Sequence, residues 1–156
     1  HYVFVLASNN LMMRISALSL TLLLLGSLAI TACNPIKNLQ KRESMTQLRN
    51  VVSTYRKLMR WGHYDQAAQY LKARDGDARE PDFKDMSRYK ITSLTIADEI
   101  ISNTDTEAKI TAYVDFYDTD SGRATSAKDD QFWWYDEMEK RWFLGSPMIN
   151  FSDFIQ

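Results

Sequence analysis

The sequence predicts an α+β fold, with helices in its first half and an antiparallel sheet in its second. Apolar residues recur at spacings of three and four from Met45 to Met59, which is the period of an amphipathic helix. From residue 89 onward the period changes to two, as in strands that bury one face. After an apolar N-terminal segment, expected as a signal helix, the pattern predicts two to three helices packed on a curved four-stranded antiparallel sheet.

The helices are predicted from their end signals. Ser44 is a candidate N-cap, and Gln47 completes a capping box for a helix that ends at Gly62. A second helix is expected over residues 64–72, because its small and apolar residues share one face. A further helical turn is expected over residues 83–88.

Four strands are predicted at residues 89–101, 107–117, 123–135 and 141–146. The alternation of the first strand slips near Thr92, which predicts a register shift there. The turn "DTDSG" follows the second strand, and its glycine can supply a positive φ. The tail "PMINFSDFIQ" is a candidate for a final edge strand.

Composition excludes several classes of protein. The net charge of −1 gives no basic face for nucleic acid, so no nucleic-acid partner is expected. The single cysteine cannot form an intrachain disulfide or a cysteine-rich metal site. Because residues 33–156 also contain only one histidine, His63, we expect neither a metal site nor a cofactor.

The segment from Met13 has the order of a secretory signal: Arg14, then an apolar core at residues 18–28, then small residues. Counted from residue 15 to residue 32, the apolar run reaches 18 residues, so an uncleaved membrane anchor is the alternative. Residues 1–12 precede this signal, and we interpret them as an upstream artefact. The expected organisation is therefore a signal peptide at 13–32, a tether at 33–43 and a single domain at 44–156.

The motif Ile30-Thr31-Ala32-Cys33 resembles the lipobox of bacterial lipoproteins. The resemblance implies that the thiol of Cys33 receives a diacylglycerol and that cleavage makes Cys33 the acylated N-terminus. Two or three acyl chains would anchor the protein stably to a membrane. In that family an aspartate after the cysteine favours retention in the inner membrane, so the resemblance implies that Asn34 favours the outer membrane. The alternative for Cys33 is an incidental or buried thiol.

Residues 44–150 resemble the nuclear-transport-factor-two-like superfamily, in which a curved sheet wraps around helices as a cone. The resemblance is carried by the helix pair with "RWGHYDQAAQYL" and by the closing hairpin "FWWYDEMEKRWFLG". It implies a pocket between sheet and helices, where a carboxylate moves protons in the enzymatic members.

Asp98 is the candidate for that carboxylate, because it shares its parity along the strand with Leu94, Ile96 and Ile100. A buried position would raise its pKa toward a useful range. The alternative is that the strand twists or ends there and leaves Asp98 at a solvated rim.

The aromatic hairpin offers a candidate interaction surface. Alternation turns Trp133, Tyr135 and Phe143, or their neighbours, away from the core. An exposed aromatic cluster would indicate contact with a protein or a glycan. The alternative is that these rings are core residues covered by a helix.

The resulting hypothesis is a lipid-anchored protein of the bacterial cell envelope that faces the periplasm and has a non-catalytic binding or accessory role. One alternative is an isomerase- or hydratase-type enzyme that uses Asp98. The other is a structural partner of an envelope complex that docks through the tryptophan-rich hairpin. The expected partners are the membrane, through acyl chains on Cys33, and an envelope protein.

Overall fold

The computed structural model of this chain describes residues 34–74 and 81–155. The predicted signal segment and Cys33 lie outside these residues. Two compact units are distinguished, residues 1–41 and residues 42–156. The described part of the first unit is the beginning of one helix, and the sheet belongs to the second unit.

The architecture is α+β, as predicted. The helices are α1 (Asn34–Arg60), α2 (Tyr64–Ala67) and α3 (Phe83–Met86), with 3-10 turns at Ala68–Tyr70 and Phe151–Phe154. The strands are β1 (Tyr89–Ile101), β2 (Glu107–Asp118), β3 (Ala124–Asp136) and β4 (Arg141–Leu144). They form an antiparallel sheet in the order β1-β2-β3-β4, which confirms the predicted four-stranded antiparallel sheet.

Helix α1 begins at Asn34, so the prediction of an N-cap at Ser44 is wrong, and residues 34–43, expected as a tether, are helical. Pro35 lies in the first turn of the helix, where its missing N–H has no intrahelical partner to lose. No glycine or further proline interrupts the helix before its end. Ser44 instead accepts a hydrogen bond at its carbonyl oxygen from Trp142 Nε1, at 3.1 Å.

Two other boundaries differ from the predictions. The second helix is shorter than expected, since α2 passes into a 3-10 turn that ends at Tyr70. The tail forms a 3-10 turn and not an edge strand. Pro147 lacks the N–H that a sheet ladder requires, and Asn150 Nδ2 donates to Asp153 Oδ1 at 2.8 Å, which favours a local turn.

The core lies on one face of the sheet, called the inner face below. On this face of β2 every second residue from Ala108 to Phe116 is buried. Leu48, Val52 and Tyr55 of α1 belong to the same buried cluster. These side chains recur at helical spacing because only one stripe of an amphipathic helix can face the core.

Two bulges interrupt β1. Thr92 is the extra residue between Ile91 and Ser93, which confirms the predicted register shift. Ala97 is the extra residue between Ile96 and Asp98. Each bulge reverses which side chains face inward, because the side-chain period of a strand is two.

The turn between β2 and β3 is the predicted hairpin turn. Gly122 has a positive φ of 71°, and its N–H donates to the carbonyl oxygen of Asp118 at 2.8 Å.

None of the helices in residues 34–74 and 81–155 has both the length and the apolar character that crossing a membrane requires.

Trp133 is fully buried, whereas Trp61, just after α1, is 75% exposed. We therefore expect Trp133→Ala to lower the free energy of unfolding by about 3–5 kcal/mol, because it leaves a large cavity in the core. The matched change Trp61→Ala should lower it by less than about 0.5 kcal/mol. Urea unfolding followed by circular dichroism measures both values, and equal losses would contradict the assignment of Trp133 to the core.

Candidate functional site

A half-open cleft of about 540 Å³ lies beside β3, between the start of α3 and the C-terminal tail. Its apolar walls come from six side chains: Pro81, Met86, Pro147, Met148, Ile149 and Phe154. Its polar groups are Asp82, Lys128, Asp129, Asn150 and Asp153. Apolar walls with a few fixed polar groups are typical of a small-molecule site.

The cleft exists because β4 is much shorter than β3. β4 pairs only with residues 133–136 of β3, and the chain leaves the ladder after Gly145 N–H donates to Phe132 O at 2.7 Å. Asp129 therefore lies on a part of β3 that pairs with β2 alone among the described strands. The tail crosses beside this open edge and forms one wall of the cleft.

Asp129 begins a chain of hydrogen bonds that runs from the cleft into the core. Gln131 Nε2 donates to Asp129 Oδ2 at 2.7 Å, and Trp133 Nε1 donates to Gln131 Oε1 at 3.0 Å. The three residues occupy alternate positions of β3, so their side chains share its inner face. All three are buried.

The indole at the inner end of this chain is held by two tyrosines. The ring of Tyr55 meets Trp133 edge-on, with centroids 5.4 Å apart, and Tyr70 lies 6.4 Å from the same ring. The Tyr55 hydroxyl is buried and has no hydrogen-bond partner among the described residues. Burial, together with the charge of Asp129, raises the pKa of Tyr55 well above its usual value.

Burial also raises the pKa of Asp129, since desolvation disfavours its charged form. The hydrogen bond from Gln131 acts in the opposite direction, and the charge of Asp130 adds to the rise. Asp129 Oδ1 accepts no hydrogen bond from the part of the chain that the structure describes. A buried carboxyl with one unoccupied oxygen at the edge of a cleft can bind a hydrogen-bond donor or a cation, or exchange a proton.

Asp98, the predicted proton carrier, does not belong to this site. The bulge at Ala97 pairs Asp98 with Thr111, which lies on the outer face of β2. The shared parity with Leu94 and Ile96 is therefore broken, and Asp98 is exposed. Its Oδ1 accepts the N–H of Glu99 at 2.9 Å. The prediction of an inward-facing Asp98 is wrong, and its alternative of a solvated position is the one observed.

The aromatic hairpin does not form the predicted exposed surface. Trp133 is fully buried, Phe143 is 5% exposed and Tyr135 is half-buried. Tyr135 packs against the buried Trp142, with ring centroids 5.6 Å apart. The assignment of Trp133 and Phe143 to an interaction surface is therefore wrong, for a different reason in each case.

Trp133 faces the inner side of the sheet and is covered by helix α1. Phe143 lies on the outer face, where two cations cover its ring: Lys72 Nζ is 4.8 Å and the Arg141 guanidinium 4.5 Å from the centroid. Lys72 is held there by ion pairs with Asp136 and Glu139, both at 2.6 Å. Such contacts stabilise a ring at the surface without leaving it free for a partner.

The remaining candidate residues are not part of the cleft. Cys33 lies outside the described residues. His63 is an exposed residue at the start of α2, as expected for a turn. Within the described ranges no group of three or more histidine, cysteine, aspartate or glutamate side chains could hold a metal ion.

Sequence reasoning did not identify Asp129, although the signal is present in β3. Ala127, Asp129, Gln131 and Trp133 alternate with the exposed Lys128 and Asp130, so Asp129 has the parity of a buried residue. The run "KDD" instead has the composition of a solvated turn or surface.

Comparison of the chain with protein-family models, with curated proteins and with solved structures finds no match.

The neighbours Asp129 and Asp130 are expected to affect stability in opposite directions as pH changes. The raised pKa of Asp129 means that the folded state holds its proton more tightly than the unfolded state. The stability of the wild type relative to Asp129→Asn should therefore fall as pH rises above about 4, the ordinary pKa of an aspartate.

The matched control is Asp130→Asn, because hydrogen bonds from Lys128 and Thr111 lower the pKa of Asp130. The wild type should lose stability relative to this variant only below about pH 4, where the folded carboxylate gains its proton. Urea unfolding from pH 2.5 to 7.5 measures both differences. The same sign for the two variants would contradict the burial of Asp129.

Proposed function

We propose that this chain is a lipid-anchored protein of the bacterial envelope whose domain binds a small ligand in the Asp129 cleft. The anchor is proposed from the lipobox-like motif Ile30-Thr31-Ala32-Cys33 after the apolar core. The acyl chains on Cys33 would be its link to the membrane, and the domain would face the periplasm, with the outer membrane favoured by Asn34. Binding without catalysis is the role that agrees with a cleft lined by one largely buried carboxyl group whose Oδ1 has no hydrogen-bond partner among the described residues.

The cone-shaped superfamily remains a proposal for the fold. Helix α1 packs across the inner face of the sheet, as the resemblance requires, and Arg56 Nη2 donates to Leu94 O at 2.7 Å. The two bulges of β1 support a curved sheet, because a bulge bends its strand and increases the local twist. In a cone-shaped fold of this kind, the cleft beside Asp129 would lie at the open edge of the cone.

A second candidate function is proton transfer, which the raised pKa of Asp129 favours. This is the isomerase- or hydratase-type alternative, with Asp129 in the role first expected of Asp98. An enzyme of this kind should lose turnover with Asp129→Asn and keep it with Asp98→Asn. Docking through the tryptophan-rich hairpin has no comparable support, since Trp133 and Phe143 are covered.

The anchor predicts covalent lipid on Cys33. When the chain is expressed in a bacterium that processes lipoproteins, an alkyne analogue of palmitate should label the wild type and leave Cys33→Ser unlabelled. Ala32→Arg keeps the thiol but places a large side chain beside it, so this variant should remain uncleaved. An unlabelled wild type, or processing of Ala32→Arg like the wild type, would refute the anchor.

The cleft predicts binding of a small aromatic probe, with Met86 and Met148 as reporters because both line it. In protein labelled with ¹³C at methionine methyl groups, benzyl alcohol should shift these two signals saturably. The core residue Met59 and the 93% exposed Met138 should not respond. A response at Met138 alone or at none of the four would count against the cleft as a binding site.

A pair of phenylalanines supplies the matched variants for this measurement. Phe154 lines the cleft and is 42% exposed, whereas Phe83 is 36% exposed and lies outside the lining. Phe154→Ala should weaken binding of benzyl alcohol roughly threefold to tenfold, because an aromatic contact is lost. Phe83→Ala should leave the affinity within about twofold.

A further inference from the structure

The cleft carries negative charge that no described cation neutralises. Asp82, Asp129 and Asp153 line it, and each has one oxygen that accepts a hydrogen bond from a neutral donor. The donors are backbone N–H groups of α3 for Asp82, the Gln131 amide for Asp129 and the Asn150 amide for Asp153. None of the three carboxylates takes part in an ion pair within the described ranges.

Among the described residues that line the cleft, Lys128 is the one cation, and its charge is already paired. Lys128 Nζ donates to Asp130 Oδ2 at 2.7 Å, and Asp130 is not part of the cleft. This contact raises the pKa of Lys128 and lowers that of Asp130, as expected for a charged pair. Among the described lining residues, the charged groups without an ion-pair partner are therefore the three carboxylates.

The most buried of these carboxyl groups, that of Asp129, also has an oxygen that can accept a hydrogen bond from a ligand. Asp129 is 8% exposed, lines the cleft and has Oδ1 without a hydrogen-bond partner among the described residues. A buried carboxylate without a cation costs free energy that a bound cation can offset. A charge-assisted hydrogen bond to an ammonium group would satisfy Oδ1.

The surroundings favour an organic cation over a metal ion. No group of three acidic, histidine or cysteine side chains in the described part of the chain is close enough to hold a metal. The walls beside Asp129 are instead apolar, with Met148 and Ile149 of the tail and Met86 of α3. Such walls suit the hydrocarbon or aromatic part of a ligand, and methionine adapts to varied shapes.

We propose that the cleft binds a small organic amine, whose ammonium group contacts Asp129 Oδ1 and whose apolar part packs against Met86 and Met148. This inference rests on the proposed binding function and specifies its ligand class. The carboxylates of Asp82 and Asp153 at the same cleft attract the cation, and Asp129 fixes its position.

Three probes that share a benzene ring and differ in charge test the ligand class: benzylammonium, benzyl alcohol and benzoate at pH 7. The full chain is kept in the uncharged detergent dodecyl maltoside, and the ¹³C-methyl signals of Met86 and Met148 report binding. Benzylammonium should bind at least about tenfold more tightly than benzyl alcohol, and benzoate should bind more weakly than either.

Asp129→Asn and Asp98→Asn each remove one carboxylate, inside and outside the cleft, and Asp129→Glu keeps the charge in the cleft. Asp129→Asn should reduce the preference for benzylammonium over benzyl alcohol to about threefold or less, and Asp129→Glu should keep most of this preference. Asp98→Asn removes an exposed carboxylate on the outer face and should leave the preference unchanged. Unchanged Met59 and Met138 signals in each variant verify that the fold is intact.

The outcomes separate this inference from the proposed function. Equal binding of benzylammonium and benzyl alcohol would overturn the amine assignment and leave the cleft as a binding site. Tightest binding of benzoate would also overturn it, because Lys128 would then be the group that selects the ligand. No response of Met86 and Met148 to any probe would overturn the amine assignment and the proposed binding function together.

Discussion

A buried indole N–H needs an acceptor, and the candidate site follows from how this chain supplies one. Trp133 lies in the centre of the core, where its ring packs edge-on against Tyr55 of α1. Its N–H donates to Gln131, and the Gln131 amide donates in turn to Asp129. Each buried donor would cost about 1–3 kcal/mol if it were left without a partner. The packing of Trp133 is therefore linked, through Gln131, to a buried carboxyl group at Asp129 on the same face of β3.

The same strand geometry decides which carboxylate faces the core. In β3 the alternation is regular, so Asp129 keeps the parity of Trp133 along the strand. In β1 the bulge at Ala97 reverses the parity, and Asp98 turns outward although Leu94 and Ile96 face inward. The inserted Ala97 therefore turns Asp98 outward, whereas the uninterrupted alternation of β3 keeps Asp129 on the inner face, because the side-chain period of a strand is two.

The sequence predicted the strands well and the site poorly, and both results have physical causes. Strand positions followed from long regular alternation, and the bulge at Thr92 was visible because the polar pair Thr92-Ser93 interrupts an apolar series. The bulge at Ala97 was not visible, since Ile96 and Ala97 are both apolar and the reversal leaves no polar mark. The capping box at Ser44 was a local signal that the longer helix α1 overrides.

The cleft itself depends on contacts between distant segments, which periodicity does not contain. It needs a short β4, a tail that returns after Pro147 and the start of α3 on the opposite side. Phe143 shows the same limit, because alternation places its ring on the outer face but does not reveal that Lys72, 71 residues earlier, covers it.

The mismatch in length between β3 and β4 connects the stability of the fold to its candidate function. Where β4 pairs with β3, the inner face is closed by Trp133 and Trp142, and the outer face by the contact between the tilted rings of Trp134 and Phe143. Where β4 ends, no other described strand continues the ladder, and the tail leaves a cleft beside Asp129. The hydrogen bonds that satisfy Trp133 run along β3 from the closed part to the open part. A carboxyl group that the core requires as an acceptor thereby reaches a place where a ligand can approach its second oxygen.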